Sequence, residues 1–166
     1  MSPTRHDVHA ACLTIACAAL AGLAPASASA ATGCDRYASP SGSDAAAGTE
    51  ASPFASAQKL ADKLSAGQTG CLRAGTYDPS AAYVVAFSHG GASGAPLTLR
   101  SYPGETAKLV GIIHIPNGKD FVTLSRLKIE GDGSQNTLKT YASDTIEDND
   151  ITNLRKGLSC MMLVCV

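Results

Sequence analysis

The feature that most constrains this chain is a short phrase of alternating apolar residues that returns between Leu97 and Ile151, each time closed by a turn. Leu99 precedes Leu124 by 25 positions, and Leu124 precedes Ile146 by 22. Strands this short bury little apolar surface alone, so units of this period are stable only when they stack on one another. The repeat therefore predicts a solenoid of strands.

The kind of solenoid follows from the length and composition of the repeat. Strands of three to five residues with no long helix between them indicate an all-β chain folded as a parallel β-helix. A leucine-rich repeat has a similar period, but its Leu and Asn signature is absent from this sequence. A β-sandwich, which also uses short strands with Gly and Pro turns, is the main alternative.

An amphipathic helix is predicted ahead of the repeats, at about residues 53–65. Ser52 suits the N-cap, Pro53 the first helical position, and Gly67 the end of the helix. Apolar residues recur at intervals of three and four and form one stripe, namely Phe54, Ala57, Leu60, Ala61 and Leu64.

This stripe has an evident role at the end of a solenoid. The first coil of a stack exposes apolar surface and unpaired strand edges, which must be covered. We therefore expect residues 31–70 to form an N-terminal cap that includes the helix, and residues 71–166 to form the coils.

Residues 1–30 have the order of a secretory signal peptide: a basic residue at Arg5, an apolar run over 10–24, and the small residues Ala28-Ser29-Ala30. The run is too short to span a bilayer. We expect a secreted protein, extracellular or at the cell surface, with no membrane segment after cleavage. Loss of residues 1–30 leaves the net charge at −1, so nothing indicates a basic surface for nucleic acid.

Four cysteines remain after cleavage, in an oxidising compartment where disulfides persist. They allow three pairings, of which we favour Cys34 with Cys71. Cys34 follows the cleavage site closely and Cys71 begins the first predicted strand, so this bridge would join the cap to the coils. Closing such a loop is worth about 3–4 kcal/mol. The pairing of Cys160 and Cys165 stays open, and the spacings do not indicate zinc.

Five phrases of the chain carry a family resemblance. In order they are 37–44, Ser52-Pro53-Phe54, 72–77, 95–105 and 148–151. Together they resemble the secreted right-handed parallel β-helix proteins of the pectin-lyase-like fold. The resemblance implies that fold, and it implies a group that mixes polysaccharide lyases, glycoside hydrolases and surface proteins.

The lyases of this group resemble one another in using clustered Asp residues with calcium and a Lys or Arg base on a later coil. Calcium binds hard oxygen ligands and offsets the charge of the enolate-like intermediate. Asp148, Asp150, Arg155 and Lys156 form the local set with suitable residue types. On a strand, Asp148 and Asp150 would face one side, which makes them the candidate calcium ligands.

A structural alternative for this set is a solvated turn in which Asn149 hydrogen-bonds its neighbours in a stacked ladder, and we favour it. The turn at 130–133 is a second acidic segment of the same kind. His114 lies between Ile113 and Ile115 and is expected to point to solvent. No catalytic residue is assigned.

The chain provides three to five coils and then ends in the apolar segment 160–166. We therefore expect an N-terminal fragment of a longer β-helix, inactive in this form. The functional prediction is a secreted β-helix that binds or acts on acidic extracellular polysaccharide, as a lyase or glycoside hydrolase if it is catalytic. The alternative is a non-catalytic cell-surface or carbohydrate-binding β-helix.

Overall fold

The computed structural model describes residues 33–78, 83–131, 137–141, 143–152 and 159–160, the last pair by backbone alone. The predicted signal peptide, residues 1–30, lies outside these ranges. Within them, no helix is long and apolar enough to cross a membrane.

Thirteen short strands and one helix occur in the part of the chain that the structure describes. In order they are β1 (Arg36–Ala38), α1 (Ala57–Lys63), β2 (Thr69–Leu72), β3 (Gly75–Tyr77), β4 (Tyr83–Ala86), β5 (Leu97–Ser101), β6 (Ala107–Val110), β7 (Ile112–His114), β8 (Val122–Ser125), β9 (Lys128–Glu130), β10 (Leu138–Thr140), β11 (Thr145–Glu147), β12 (Asp150–Thr152) and β13 (Ser159–Cys160).

These strands form three sheets, which the chain visits in turn. Sheet A has the order β1-β2-β5-β8-β11, sheet B the order β3-β6-β9-β12, and sheet C the order β4-β7-β10-β13. Every strand pair is parallel. The parallel β-helix predicted from the repeat is confirmed, and the antiparallel sandwich is excluded.

The register of the sheets reproduces the spacing of the repeat. In sheet A, Leu99 pairs with Leu124 and Leu124 with Ile146; in sheet B, Ile129 pairs with Ile151. Leu99, Leu124 and Ile129 are completely buried. Each such side chain contributes about 1.5–3 kcal/mol on leaving water. The intervals of 22 and 25 residues are therefore the lengths of whole coils, and the matching residues stack in the core.

The helix is shorter than the sequence indicates. It begins at Ala57 behind the N-cap Ser56, whose hydroxyl accepts a hydrogen bond from the Lys59 N–H at 3.0 Å. The predicted start at Ser52 and Pro53 is wrong, because Phe54 forms a parallel bridge to Ala38 of β1 and the chain there is extended. The apolar stripe is as predicted, since all five of its residues are buried.

The cap is joined to the coils covalently. Cys34 and Cys71 form a disulfide with a Cα–Cα distance of 5.7 Å, which is the pairing favoured from the sequence. Because Cys71 lies in β2 and Tyr37 of β1 pairs beside it, the bridge links the segment before β1 to the second coil. The disulfide thereby fixes β1 to the N-terminal end of sheet A.

The helix also closes an edge of sheet C, through one side chain. The Gln58 amide oxygen accepts the Ala86 N–H at 2.7 Å, and its amide nitrogen donates to the Ala86 carbonyl at 3.0 Å. β4 has β7 on its other side. Gln58 thus takes the hydrogen-bonding place of a neighbouring strand beyond β4.

Candidate functional site

The predicted calcium ligands lie where β11 turns into β12. Asp148 is not in a strand: it has a left-handed φ of +52° in the corner and is exposed. Asp150 begins β12, and one of its carboxylate oxygens lies 3.8 Å from the Lys128 ammonium. The strand geometry that would have put both carboxylates on one side therefore does not apply, because Asp148 lies between β11 and β12. Arg155 and Lys156 lie outside the described residues.

Asn149, between Asp148 and Asp150, has the role expected if this segment is a hydrogen-bonded turn. The Asn149 amide oxygen accepts the Leu127 N–H at 2.9 Å, and its amide nitrogen donates to the Leu124 carbonyl at 2.8 Å. Both partners belong to the preceding coil. Asn149 thus satisfies backbone groups that the corner would otherwise leave unpaired.

The Glu130 carboxylate, also on sheet B, forms an ion pair. Glu130 lies 2.6 Å from the Lys108 ammonium, whose hydrogen bond lowers the pKa of this carboxyl. The rest of the predicted acidic turn, 132–133, falls outside the described ranges. Across the residues that the structure describes, no three His, Cys, Asp or Glu side chains come together as a metal-binding group. Those residues alone do not fit a calcium site, and calcium binding by Asp148 and Asp150 stays a prediction.

The outer face of sheet C differs in composition from that of sheet B. The sheet B strands carry Lys108, Lys128, Glu130 and Asp150, so both signs of charge lie side by side. Strands β4, β7 and β10 of sheet C contain Lys139 as a cation and no acidic residue. The described strands of the two sheets therefore differ in the charged residues that they carry.

Three side chains from successive coils meet on sheet C. The rings of Tyr83 and His114 stack at 5.3 Å between centroids, with 25° between their planes. The Lys139 ammonium lies 5.7 Å from the centre of the Tyr83 ring, within the range of a cation–π contact. We call this group the sheet C cluster.

The surroundings of His114 differ in part from those predicted from the sequence. It lies between the buried Ile113 and Ile115 on the opposite face, as predicted, but it is half-buried against Tyr83 instead of standing freely in solvent. Burial and the neighbouring Lys139 ammonium lower the pKa of His114. Sequence reasoning missed both neighbours of His114. Lys139 follows it by 25 positions, which is a period of the repeat, whereas Tyr83 precedes it by 31 positions and matches no period.

The bulge in β4 explains why alignment fails there. The register shifts between Tyr83 and Val85, so Tyr83 pairs with Ile112 and Ala86 with His114. A bulge adds one residue to one strand and redirects its side chains. Tyr83 therefore reaches the His114 ring although it is not its partner in the regular register.

His89 and Arg73, two other polar residues of the described chain, have structural partners. The His89 ring binds the Leu64 carbonyl at 2.6 Å and the Ser88 hydroxyl at 3.0 Å, closing the end of α1. Arg73 forms a bidentate pair with Glu105, its shortest distance 2.7 Å. These groups hold the cap and the coils in place.

A cavity of about 530 Å³ lies between the cap and the second coil. One of its lining residues, Asp44, accepts hydrogen bonds from the N–H groups of Ala55 and Ser56, each at 2.9 Å. Burial alone would raise the pKa of Asp44, but these bonds outweigh it and lower the pKa. This carboxylate therefore orders the segment before α1.

Comparisons with known proteins agree with the fold. No protein-family model matches the chain. The chain is 44% identical over 77 residues to Pectate lyase PEL9 of Emericella nidulans, covering 46% of this chain and 18% of that protein. It is 36% identical over 75 residues to the uncharacterized protein YwoF of Bacillus subtilis, covering 45% and 15%.

Among solved structures, a rhamnogalacturonan lyase superposes with a TM-score of 0.53 at 16% identity, over 69% of this chain and 36% of that one. At this identity the superposition shows the fold alone. The chain spans 18% and 15% of the lengths of the two curated relatives.

Proposed function

We propose that this chain, which has the right-handed parallel β-helix fold of the pectin-lyase-like proteins, binds an acidic extracellular polysaccharide through the outer surface of its coils. The observation that carries the proposal is the 44% identity over 77 residues to a pectate lyase. The geometry of the coils is compatible with it. Parallel strands repeat at about 4.8 Å, so side chains on one face form rows along which an extended sugar chain can lie.

We propose that these 166 residues bind the polysaccharide and do not cleave it. Abstraction of a proton next to a uronate carboxylate needs a base and a means of offsetting the developing negative charge. In the described part of the chain, Asp150 lies beside Lys128, and Asp148 lies in the exposed corner before β12. We derive no catalytic step from this arrangement.

Two assays on the purified chain test the proposal. Affinity electrophoresis in gels containing polygalacturonate should retard the protein relative to gels without polymer. In parallel, ultraviolet absorbance should not rise when the protein is incubated with polygalacturonate, with or without calcium, because no unsaturated sugar is formed. A calcium-dependent rise in absorbance would replace the proposal with a lyase activity, and unretarded migration would refute it.

Export is part of the same proposal. The basic residue, apolar run and small-residue site of residues 1–30 are those of a signal peptide. Expression in a host with a secretion pathway should release a product whose N-terminal sequence begins at Ala31. Product retained in the cell with Met1 still present would refute the assignment.

A further inference from the structure

We propose that Asn117 is a site of spontaneous covalent modification, at which the chain loses ammonia by deamidation through a cyclic imide formed with the backbone nitrogen of Gly118. The site lies in the turn between β7 and β8, and the inference is independent of the proposed function. Asn117 is the one asparagine of the sequence that precedes a glycine. The co-reactant is water.

The reaction is an intramolecular substitution followed by a hydrolysis. The Gly118 backbone nitrogen gives its proton to water or hydroxide and bonds to the side-chain carbonyl carbon of Asn117. The bond from that carbon to the amide nitrogen breaks, and ammonia leaves. Water then opens the imide ring at either of its carbonyls, which gives aspartate or isoaspartate at this position. Both products carry a carboxylate, so the chain gains one negative charge at neutral pH.

The turn presents both reacting groups to solvent. The Lys119 N–H donates to the Pro116 carbonyl at 3.0 Å, which closes a four-residue turn with Gly118 in its third position at a left-handed φ of +77°. Asn117 and Gly118 are both exposed. Within the described chain, neither the Asn117 amide nor the Gly118 N–H has a hydrogen-bond partner. No bond therefore holds the nucleophile away from the carbon that it attacks.

The space around Gly118 favours closure of the ring. A Cβ built on Gly118 would meet no atom within 4 Å, so the backbone there can rotate without displacing packed neighbours. Glycine has no side chain to shield its own nitrogen, and it adopts the widest range of dihedral angles. Because the two reacting groups are adjacent in one chain, their effective concentration is high once they reach the right orientation.

Asn149 provides an internal comparison in the opposite environment. Its amide oxygen accepts the Leu127 N–H at 2.9 Å, and its amide nitrogen donates to the Leu124 carbonyl at 2.8 Å. The next backbone nitrogen, that of Asp150, donates to the Leu127 carbonyl at 2.9 Å. All these hydrogen bonds oppose closure of the same ring, so the fold protects Asn149 and leaves Asn117 open to reaction.

Peptide mapping by mass spectrometry tests the inference. The purified chain is incubated at neutral pH in water labelled with heavy oxygen, which distinguishes deamidation during the incubation from earlier loss. The tryptic peptide 109–119 should take up label at Asn117 and separate into aspartate and isoaspartate products. The rate should increase with pH, because base removes the Gly118 proton. Asn149 should react at least about tenfold more slowly in the folded chain.

Two controls separate the local sequence from the fold. Asn117→Gln should leave this peptide unlabelled over the same period, because the longer side chain closes a larger ring less readily. In guanidinium chloride the hydrogen bonds of Asn149 open, so the ratio of the Asn117 rate to the Asn149 rate should fall. An Asn117 that stays unlabelled in the folded chain would overturn the inference. Equal rates at the two asparagines in the folded chain, or an unchanged ratio on unfolding, would overturn the protection assigned to the fold.

Discussion

At its N-terminal end the stack is closed by side chains that each occur once, whereas in its middle it is held by residues that recur from coil to coil. The cap uses the Cys34–Cys71 disulfide and the Gln58 amide, which bonds both backbone groups of Ala86. The Tyr102 hydroxyl adds a bond from the third coil to Glu50 of the cap at 2.9 Å. Of these devices, the backbone-bonding amide has a counterpart in the described coils, at Asn149.

The middle of the stack relies on repetition. Leu99, Leu124 and Ile146 follow one another in register, so each coil presents its apolar residues to the next. The difference teaches that the two regions fail differently. A substitution in the middle of the stack weakens the contact between two coils, and the other coils still pack on one another. A substitution in the cap has no repeated unit beside it that can replace the lost contact. Four experiments test this contrast, in decreasing order of expected effect.

The largest effect is expected at the buried face of α1. Leu60 is completely buried, and Leu60→Asp places a carboxylate there, which should cost about 4 kcal/mol or prevent folding. Lys63→Asp, on the exposed side of the same helix, is the control and should cost less than about 1 kcal/mol. Urea unfolding followed by circular dichroism measures both, and equal stabilities would refute the capping role of α1.

Reduction of the disulfide should have the next largest effect. Opening the Cys34–Cys71 link should lower the free energy of unfolding by about 3–4 kcal/mol. The paired variant Cys34→Ser with Cys71→Ser should show the same loss and no further response to reductant. A melting temperature that does not change when the bridge is reduced would show that non-covalent contacts alone hold the cap on the coils.

Gln58→Ala and Asn149→Ala compare one hydrogen-bonding amide from each region directly. Each amide makes one bond to a backbone N–H and one to a carbonyl, and each loss should cost about 1–3 kcal/mol. We expect Gln58→Ala to cost more, because it uncovers the edge of β4. Hydrogen exchange at Ala86 and Leu127 reports each site, and a larger loss for Asn149→Ala would reverse the ranking.

Asp144 offers the smallest effect and one that depends on pH. This carboxylate is buried, accepts the Val122 N–H at 3.1 Å and accepts the Thr140 hydroxyl. Burial raises its pKa above the ordinary value, and the nearby Asp120 acts in the same direction. The folded state therefore holds the proton more tightly than the unfolded state, so this stabilisation is present below about pH 4 and is lost as the pH rises through the raised pKa.

Asp144→Asn keeps the shape and removes the titration. The free energy of unfolding of the wild type relative to this variant should fall between about pH 3 and pH 7. Urea unfolding at the two pH values measures the difference. A relative stability that increases with pH would contradict the raised pKa.

The sequence predicted the fold where the pattern repeats. The stacking of Leu99 on Leu124 and of Ile129 on Ile151 could be read from their spacing, because parallel strands without bulges keep residues in register. The start of α1 could not. Phe54 fits the helical stripe as well as it fits an extended segment, and its bridge to Ala38 decides between them. That bridge is a contact across 16 residues, which local propensity does not contain.

By itself, then, the sequence determined the period of the coils, the apolar columns of the core and the buried face of the capping helix, because these depend on residue order and burial alone. The tertiary structure decided which polar residues meet on the surface. Lys139 follows His114 by 25 positions, as Leu124 follows Leu99, and pairs with it in register. Tyr83 precedes His114 by 31 positions, and it contacts the ring where β4 carries a bulge. It also placed Asp148 in the corner before β12 and Asp150 within the strand, because the left-handed φ of Asp148 is a feature of the turn and not of a strand.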